Sequence, residues 1–360
     1  LGCALSHSLV ALTIARTVQG IGAAGVLSVN SALVRFIYPG RMLGRGVGFV
    51  ALVVAVSAAV GPTVAAGILS VASWPWLFAI NVPTGLATLY FAQALPRTPR
   101  ARRRFDWLSA LLNAFFFGLL IIAIDSIGHG ERPLYSLLAF AGSALSGAAL
   151  VVRQLSQASP LLPVDLLRIP LFALSIATSV CSFTAQMLAY VSIPFYFENL
   201  LGRSDVATGL LMTPWPVSAA LAAPIAGHLA DRYPAGILGA IGLVVFGAGL
   251  ALLALLPASP SDLDIAWRMA VCGGGFGLFQ SPNNRAILGS APRERSGGAS
   301  GMLGTARLVG QTTGAALVAL MFGVFARHAT VWALGFAAGI ALLAAAVSSA
   351  RLVQTRGAEG

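Results

Sequence analysis

Eleven apolar runs, each long enough to cross a bilayer as a helix, follow one another along this chain with little between them except short arginine-bearing breaks. They fall near 9–34, 47–70, 75–95, 107–128, 135–152, 172–198, 206–229, 235–256, 265–287, 297–324 and 330–350. A hydrocarbon core needs about 20 predominantly apolar residues per helix. It also demands that backbone donors and acceptors pair within the segment or in a closed barrel. A barrel would show alternating segments of about ten residues, and these runs are longer and uninterrupted. The expected fold class is therefore an all-α polytopic membrane protein with about eleven transmembrane helices. Composition agrees, with 58% hydrophobic and 9% charged residues where a soluble domain carries roughly 25% charged. Several runs exceed 20 residues, which allows tilt. Pro83 interrupts the third run early, and Gly273-Gly274-Gly275 with Pro282 predict a bent or broken ninth helix.

Arginine sets the orientation. The net charge of +11 comes from arginine alone, since the chain has no lysine. With the loop after the first run placed in the cytoplasm, sixteen arginines fall in cytoplasmic segments, four in external ones, and two, Arg16 and Arg307, inside spans. That asymmetry is the positive-inside pattern. It places the C-terminus in the cytoplasm and the protein in the inner (plasma) membrane, and it makes a nucleic-acid partner the poorer account of the charge. Segment 96–106 reads as a basic topology anchor, and 153–171 as an amphipathic linker on the membrane surface. Eleven spans put Leu1 outside. The chain opens on Leu, and residues 1–8 read as the tail of an earlier helix with a short loop, so helices upstream are expected. A genuine eleven-span protein is the alternative.

A guanidinium at membrane depth costs about 2.5–3.5 kcal/mol on insertion scales and needs a partner or a wet cavity. Arg16 has Gln19 at i+3 on the same polar face, beside the small residues Gly20, Gly22, Ala23, Ala24 and Gly25, which permit close helix approach. Candidate cavity residues are the polar Asn30, Asn113, Gln186, Gln280 and Gln311 and the aromatic Tyr190, Trp215 and Phe276, with Asn283, Asn284, Phe195 and Tyr196 in support. Asp125 and Glu198 are the acids in or beside spans, both near the external interface. Cys3, Cys181 and Cys272 are isolated, and no Cys/His cluster has metal-ligand spacing. No Walker pattern and no Ser/His/Asp spacing is present. An enzyme is not expected, nor any cofactor beyond a proton gradient.

The motif Leu12-x-x-x-Arg16-x-x-Gln19-Gly20-x-Gly22-x-Ala24 resembles the fourth helix of major facilitator superfamily transporters. Gly61-Pro62-x-x-Ala65-Ala66-Gly67 resembles the antiporter motif of the fifth helix, with alanines where paired glycines are usual. Trp74-Pro75-Trp76-Leu77-Phe78 through Asn81, Pro83 and Gly85 is similar to the sixth helix of the fourteen-helix drug:H+ antiporters. Asp106-Trp107-Leu108 fits the start of that subfamily's extra central pair, Gly227-x-x-x-Asp231-Arg232 its second cytoplasmic gating motif, and Arg307 an arginine of helix thirteen.

The resemblance covers almost the whole chain and aligns it with family helices four to fourteen, truncated at its N-terminus. It implies a major facilitator fold with residues 1–95 as the remainder of a first six-helix bundle and 96–170 as basic loop, extra central helices and linker. Residues 171–352 would be the second bundle and 353–360 a cytoplasmic tail. It further implies a proton-coupled exporter of drugs or amphipathic small molecules working by alternating access, with protons, substrate and lipid as its partners. Arg16, Gln19 and Gly20 would serve coupling, unless Arg16 is structural and bonds only carbonyls. Gly61, Pro62 and Gly67 would form a seam against helix eight of the second half, and Gly227, Asp231 and Arg232 would form a latch. The alternative is a fragment of such a transporter without independent activity.

Overall fold

The structure, a computed structural model, describes residues 1–37, 43–95, 106–128, 133–156, 163–230, 232–257, 259–292, 295–325 and 328–356. Among them the regular structure is helical throughout, with no strand. The helices are α1 (Leu9–Ile37), α2 (Leu43–Val71), α3 (Trp76–Ala79), α4 (Asn81–Ala92), α5 (Trp107–Gly128), α6 (Pro133–Leu155), α7 (Pro170–Phe195), α8 (Asp205–Met212), α9 (Pro214–Leu229), α10 (Ala235–Ala254), α11 (Asp262–Ser290), α12 (Ser296–Phe325) and α13 (Ala329–Arg356). Among the described residues, seven stretches are long and apolar enough to span a membrane: Leu9–Val26, Pro133–Leu155, Pro170–Leu200, Asp205–Leu229, Ala235–Ala254, Gly298–Phe325 and Ala329–Arg351. Trp76–Ala92 and Trp107–Ala123 are shorter apolar helices. Of the remaining two expected spans, α11 is long but carries Asp262, Asp264, Arg268 and Arg285, and α2 is described mainly by its backbone.

The third expected span is two helices, and its break falls before the proline. A proline ring clashes with the carbonyl four residues earlier and offers that carbonyl no donor. For Pro83 that carbonyl belongs to Ala79, where α3 ends. The Asn81 side chain then donates to the Leu77 carbonyl at 3.0 Å, replacing a ladder bond. Pro83 itself lies in the first turn of α4, where proline is tolerated.

Of the bend or break expected in the ninth span, the break does not occur: α11 runs as one helix from Asp262 to Ser290, through Pro282. Its glycines serve packing instead. An added Cβ on Gly273 would run into the Trp215 carbonyl oxygen of α9. The start of α11 is fixed by Ser261, whose hydroxyl accepts from the Asp264 amide at 3.1 Å.

The chain forms two compact units. The first holds α1 to α4 with α8, where α2 lies beside α1, α3 and α8. An added Cβ on Gly20, Gly22, Gly25, Gly61 or Gly67 would meet nothing within 4 Å. Close helix approach, expected at these small residues, is thus not seen there, because the faces that carry them are exposed. The second unit holds α5 to α7 and α9 to α13. In it α7 packs on α11, α12 and α13, α10 packs on α11 and α13, and α9 packs on α11. The pair α5 and α6 is clasped at one end: Asp106 caps α5 by accepting from the Ser109 amide at 3.1 Å and takes an ion pair from Arg153 at 3.0 Å.

The linker before α7 is described from Pro163 onward. Val164–Arg168 is a 3-10 turn that buries Leu166 against Phe172, Ile176, Ile287, Ala299 and Met302. Such burial contributes about 1.5–3 kcal/mol. Asp165 on this turn receives both terminal nitrogens of Arg295, one of them at 3.0 Å. Hydrogen bonding from Arg295, helped by its charge, holds the Asp165 carboxyl below the ordinary carboxylate range despite some desolvation. A lowered folded value means the stabilisation is full above the unfolded value and is lost as pH falls through the folded one. Asp165→Asn is expected to cost about 0.2–1 kcal/mol at neutral pH, the range of partly exposed pairs. The gap from the parent should close in acid, as thermal unfolding across pH would record.

Candidate functional site

In the first unit Arg16 projects from an exposed position on α1, and its NH1 donates to Gln19 Oε1 at 2.8 Å. The i+3 spacing on a helix brings the two together. Cys3 Sγ reaches the same Gln19 oxygen at 3.6 Å. The guanidinium carbon lies 5.6 Å from the Phe78 ring centroid, a cation–π placement, and Trp74 meets Phe78 edge to face at 6.1 Å. Among the described residues Arg16 makes no ion pair. Gly20, Gly61 and Gly67 are exposed, while the side chains of Asn30 and Pro62 lie outside the described residues.

In the second unit the rings form a connected chain. Tyr190 on α7 meets Trp215 on α9 at 5.7 Å, and Trp215 meets Phe246 on α10 at 5.5 Å. Phe246 meets Phe276 on α11 at 5.5 Å, and Phe276 meets Phe183 on α7 at 5.5 Å. All four contacts are edge to face, the geometry the ring quadrupole favours. Trp215 is 1% exposed and its indole Nε1 has no partner. Gln186, Gln280 and Gln311 are each partly buried. Each stands four residues from a member of the constellation, Tyr190, Phe276 and Arg307 respectively, and so shares its face. Asn113 is partly buried on α5 and joins none of these contacts.

Arg307 caps this chain. Gly310 lets α12 approach α7 so closely that an added Cβ would sit 2.6 Å from the Val180 carbonyl oxygen and 2.8 Å from Phe183 Cβ. One turn before Gly310, the guanidinium of Arg307 lies 5.6 Å from the Phe183 centroid. Like Arg16, it has no carboxylate partner among the described residues.

Of the expected latch, Gly227 is partly buried on α9 and Arg232 is exposed, while Asp231 lies outside the described residues. Glu198 is exposed in a π-helical turn, Tyr196–Leu200, and the Asp125 side chain is not among those described. Phe183 and Phe246 complete the ring chain yet resemble any apolar residue in sequence, so no local signal marks them. Asn283, named only in support, is buried and donates to Ser179 Oγ at 2.7 Å, leaving its carbonyl oxygen without a partner. Arg351, one of the sixteen arginines placed in cytoplasmic segments, is 1% exposed, and its Nε, NH1 and NH2 have no hydrogen-bond partner among the described residues. It lies one turn beyond Ser348, whose hydroxyl donates to the Gly236 carbonyl of α10.

Comparison with known proteins identifies relatives for nearly all of the chain. The profile of the Major Facilitator Superfamily matches residues 1–315 and 174–358. The chain is 57% identical to the Uncharacterized transporter YebQ of Escherichia coli (strain K12) over 98% of its own length and 78% of that protein. It is 29% identical to Multidrug resistance protein Stp of Mycobacterium tuberculosis, covering 88% of this chain and 60% of that one. It is 28% identical to Riboflavin transporter RibZ of Clostridioides difficile, covering 89% and 70% respectively.

Proposed function

The chain belongs to the Major Facilitator Superfamily, a family of membrane transporters, and from that premise we propose that it is a proton-coupled exporter of amphipathic small molecules. One observation carries the reading. Each unit holds an in-span arginine laid on an aromatic ring, with a glutamine on the same face and no carboxylate beside it among the described residues. A charge at membrane depth without a fixed partner is maintained for a moving one, whether proton or substrate. Arg16 tunes proton uptake, and the partly buried Tyr190, Gln186, Gln280 and Gln311 supply the scattered polar groups of a small-molecule site.

Alternating access then proceeds by rocking about a site near the midplane. Helices α1 to α4 belong to the first bundle, α5 and α6 are the extra central pair of a fourteen-helix exporter, and α7 to α13 form the second bundle. Gly61, Pro62 and Gly67 serve as a seam against the second bundle that limits leak. Gly227, Asp231 and Arg232 latch the cytoplasmic side, and the protein resides in the inner membrane with its C-terminus in the cytoplasm. Similarity to the multidrug resistance protein Stp supports drug-like cargo.

Efflux of a preloaded amphipathic dye from cells expressing the protein is expected to exceed that of control cells and to stop when a protonophore collapses the gradient. Efflux that ignores the protonophore, or none above control, defeats the reading.

A further inference from the structure

We propose that the second unit carries a phosphate-binding site where α13 ends beside the start of α10, with Arg351 as its cation. The phosphate is that of an anionic phospholipid headgroup or one free in solution.

The placement follows from register. Helices α10 and α13 run antiparallel: an added Cβ on Gly247 would lie 3.3 Å from the Leu342 side chain, and one on Gly239 would lie 2.7 Å from the Ser348 hydroxyl. That hydroxyl donates to the Gly236 carbonyl at 3.1 Å. Along α13, Ala337, Ala341, Ala344 and Ser348 are fully buried and Arg351 is 1% exposed. Their alternating spacing of four and three residues traces one helix face, so Arg351 continues the inward stripe. Long helical side chains lean over the preceding turn, which here is the turn of Ser348, level with Gly236. The guanidinium is thereby carried to the first turn of α10.

Two independent features of that place call for an anion. Nε, NH1 and NH2 of Arg351 are buried, and none has a hydrogen-bond partner among the described residues. A guanidinium keeps its charge in proteins, and a buried charge is stable only when paired. Four described acids are already engaged, Asp106 by Arg153, Asp165 by Arg295, Asp262 by Arg203 and Asp264 by Arg268. The second feature is the helix start. Pro234 caps α10 without a side-chain bond, and the first turn holds no acid. The amides of Ala235 and Gly236 precede the bonds that Ile237 and Leu238 make to the Pro234 carbonyl, and such leading amides give a helix start its partial positive charge. Leading amides and a guanidinium at one helix start are the elements of phosphate recognition.

Access is short. Arg232, Tyr233 and Pro234 just before α10 are exposed, as are Ser349 and Ala350 just before Arg351. The guanidinium thus lies just under the surface at the end of a span, the depth of phospholipid headgroups. In the orientation proposed above this is the cytoplasmic leaflet, where basic pockets between helices take anionic headgroups.

The test titrates the full protein in detergent micelles with dioleoylphosphatidylglycerol, dioleoylphosphatidylcholine or inorganic phosphate and records thermal unfolding. Phosphatidylglycerol is expected to raise the wild-type midpoint saturably, and phosphatidylcholine is not. Arg351→Met should weaken the apparent affinity for phosphatidylglycerol by roughly tenfold or more, the loss expected of one hydrogen-bonded charge. Arg351→Lys keeps the charge without the planar fork and should retain part of the response, and it stands in if the methionine variant does not fold. Protection by inorganic phosphate that Arg351→Met abolishes also upholds the site and assigns it to a soluble anion. A wild type indifferent to both phosphatidylglycerol and phosphate, or one raised as much by phosphatidylcholine, overturns the proposal. So does an Arg351→Met protein that gains as much as the parent. None of these outcomes bears on the export reading, which dye efflux decides.

Discussion

Gly273→Val should remove folded protein from the membrane, while Gly274→Val one position on should not. The contrast follows from helix geometry. A Cβ built on Gly273 runs into the backbone carbonyl oxygen of Trp215 and the hydroxyl of Ser218, with the Trp215 carbonyl carbon 2.7 Å away. The carbonyl is main chain of α9, so nothing flexible can yield, and α9 must move off α11. Overpacking a well-packed core typically costs 1–3 kcal/mol, occasionally more, and valine adds two methyl groups beyond the first clash. At Gly274 an added Cβ meets nothing within 4 Å. Monodisperse yield by size exclusion in detergent, with thermal unfolding of whatever survives, checks both. A Gly273→Val protein that melts within a few degrees of Gly274→Val would mean that α9 and α11 do not pack this closely.

The second large effect is functional. Arg16→Ala should insert and fold normally yet lose gradient-driven efflux, by a factor on the order of 5–150 if the residue carries an ordinary coupling free energy. Arg16 is exposed and its hydrogen-bond partner Gln19 is exposed as well; the buried Cys3 thiol bonds Gln19 and keeps that partner without Arg16. Removal therefore leaves no cavity and no orphaned buried group, the common causes of large destabilisation. Arg16→Lys keeps the charge but loses the planar group that lies over Phe78, and should retain part of the rate. Initial efflux rates at matched membrane expression decide the matter. An alanine variant that transports like the parent would leave Arg16 as a structural residue bonded to its own helix face.

What could be read from the sequence followed from how local each cause is. The Arg16–Gln19 bond needs only an i+3 spacing on a helix, so it was visible in the residues themselves. The all-helical class was visible too, because length and hydrophobicity set it. The effect of Pro83 was visible but misplaced: its ring acts on the carbonyl four residues earlier, and the helix ends at Ala79. Gly273, Gly274 and Gly275 suggested a break because glycine in a helix weakens it. What they do depends on which neighbour presses on that face, and no local pattern encodes that. The ring chain was half visible. Tyr190, Trp215 and Phe276 stood out as aromatic, but Phe183 and Phe246 join them only because α7, α10 and α11 meet. The burial of Arg351 was not visible either, since it depends on how α13 packs against its neighbours.

The glycine seams also bear on how the second unit can move. Gly242 of α10 and Gly275 of α11 face each other across main chain: an added Cβ on Gly242 would lie 2.8 Å from the Gly275 carbonyl oxygen and 2.6 Å from the Phe279 amide nitrogen. Helices that slide past one another do so on side chains, which can change rotamer as they shear. Helices that touch backbone to backbone have no such bearing, because a shift of one residue along the seam would bring a side chain to the place where only hydrogen fits. From α9 through α11 to α10 the unit is therefore geared rather than lubricated. Any stroke it makes must be delivered whole, as by a stiff lever, with compliance left to segments outside these seams.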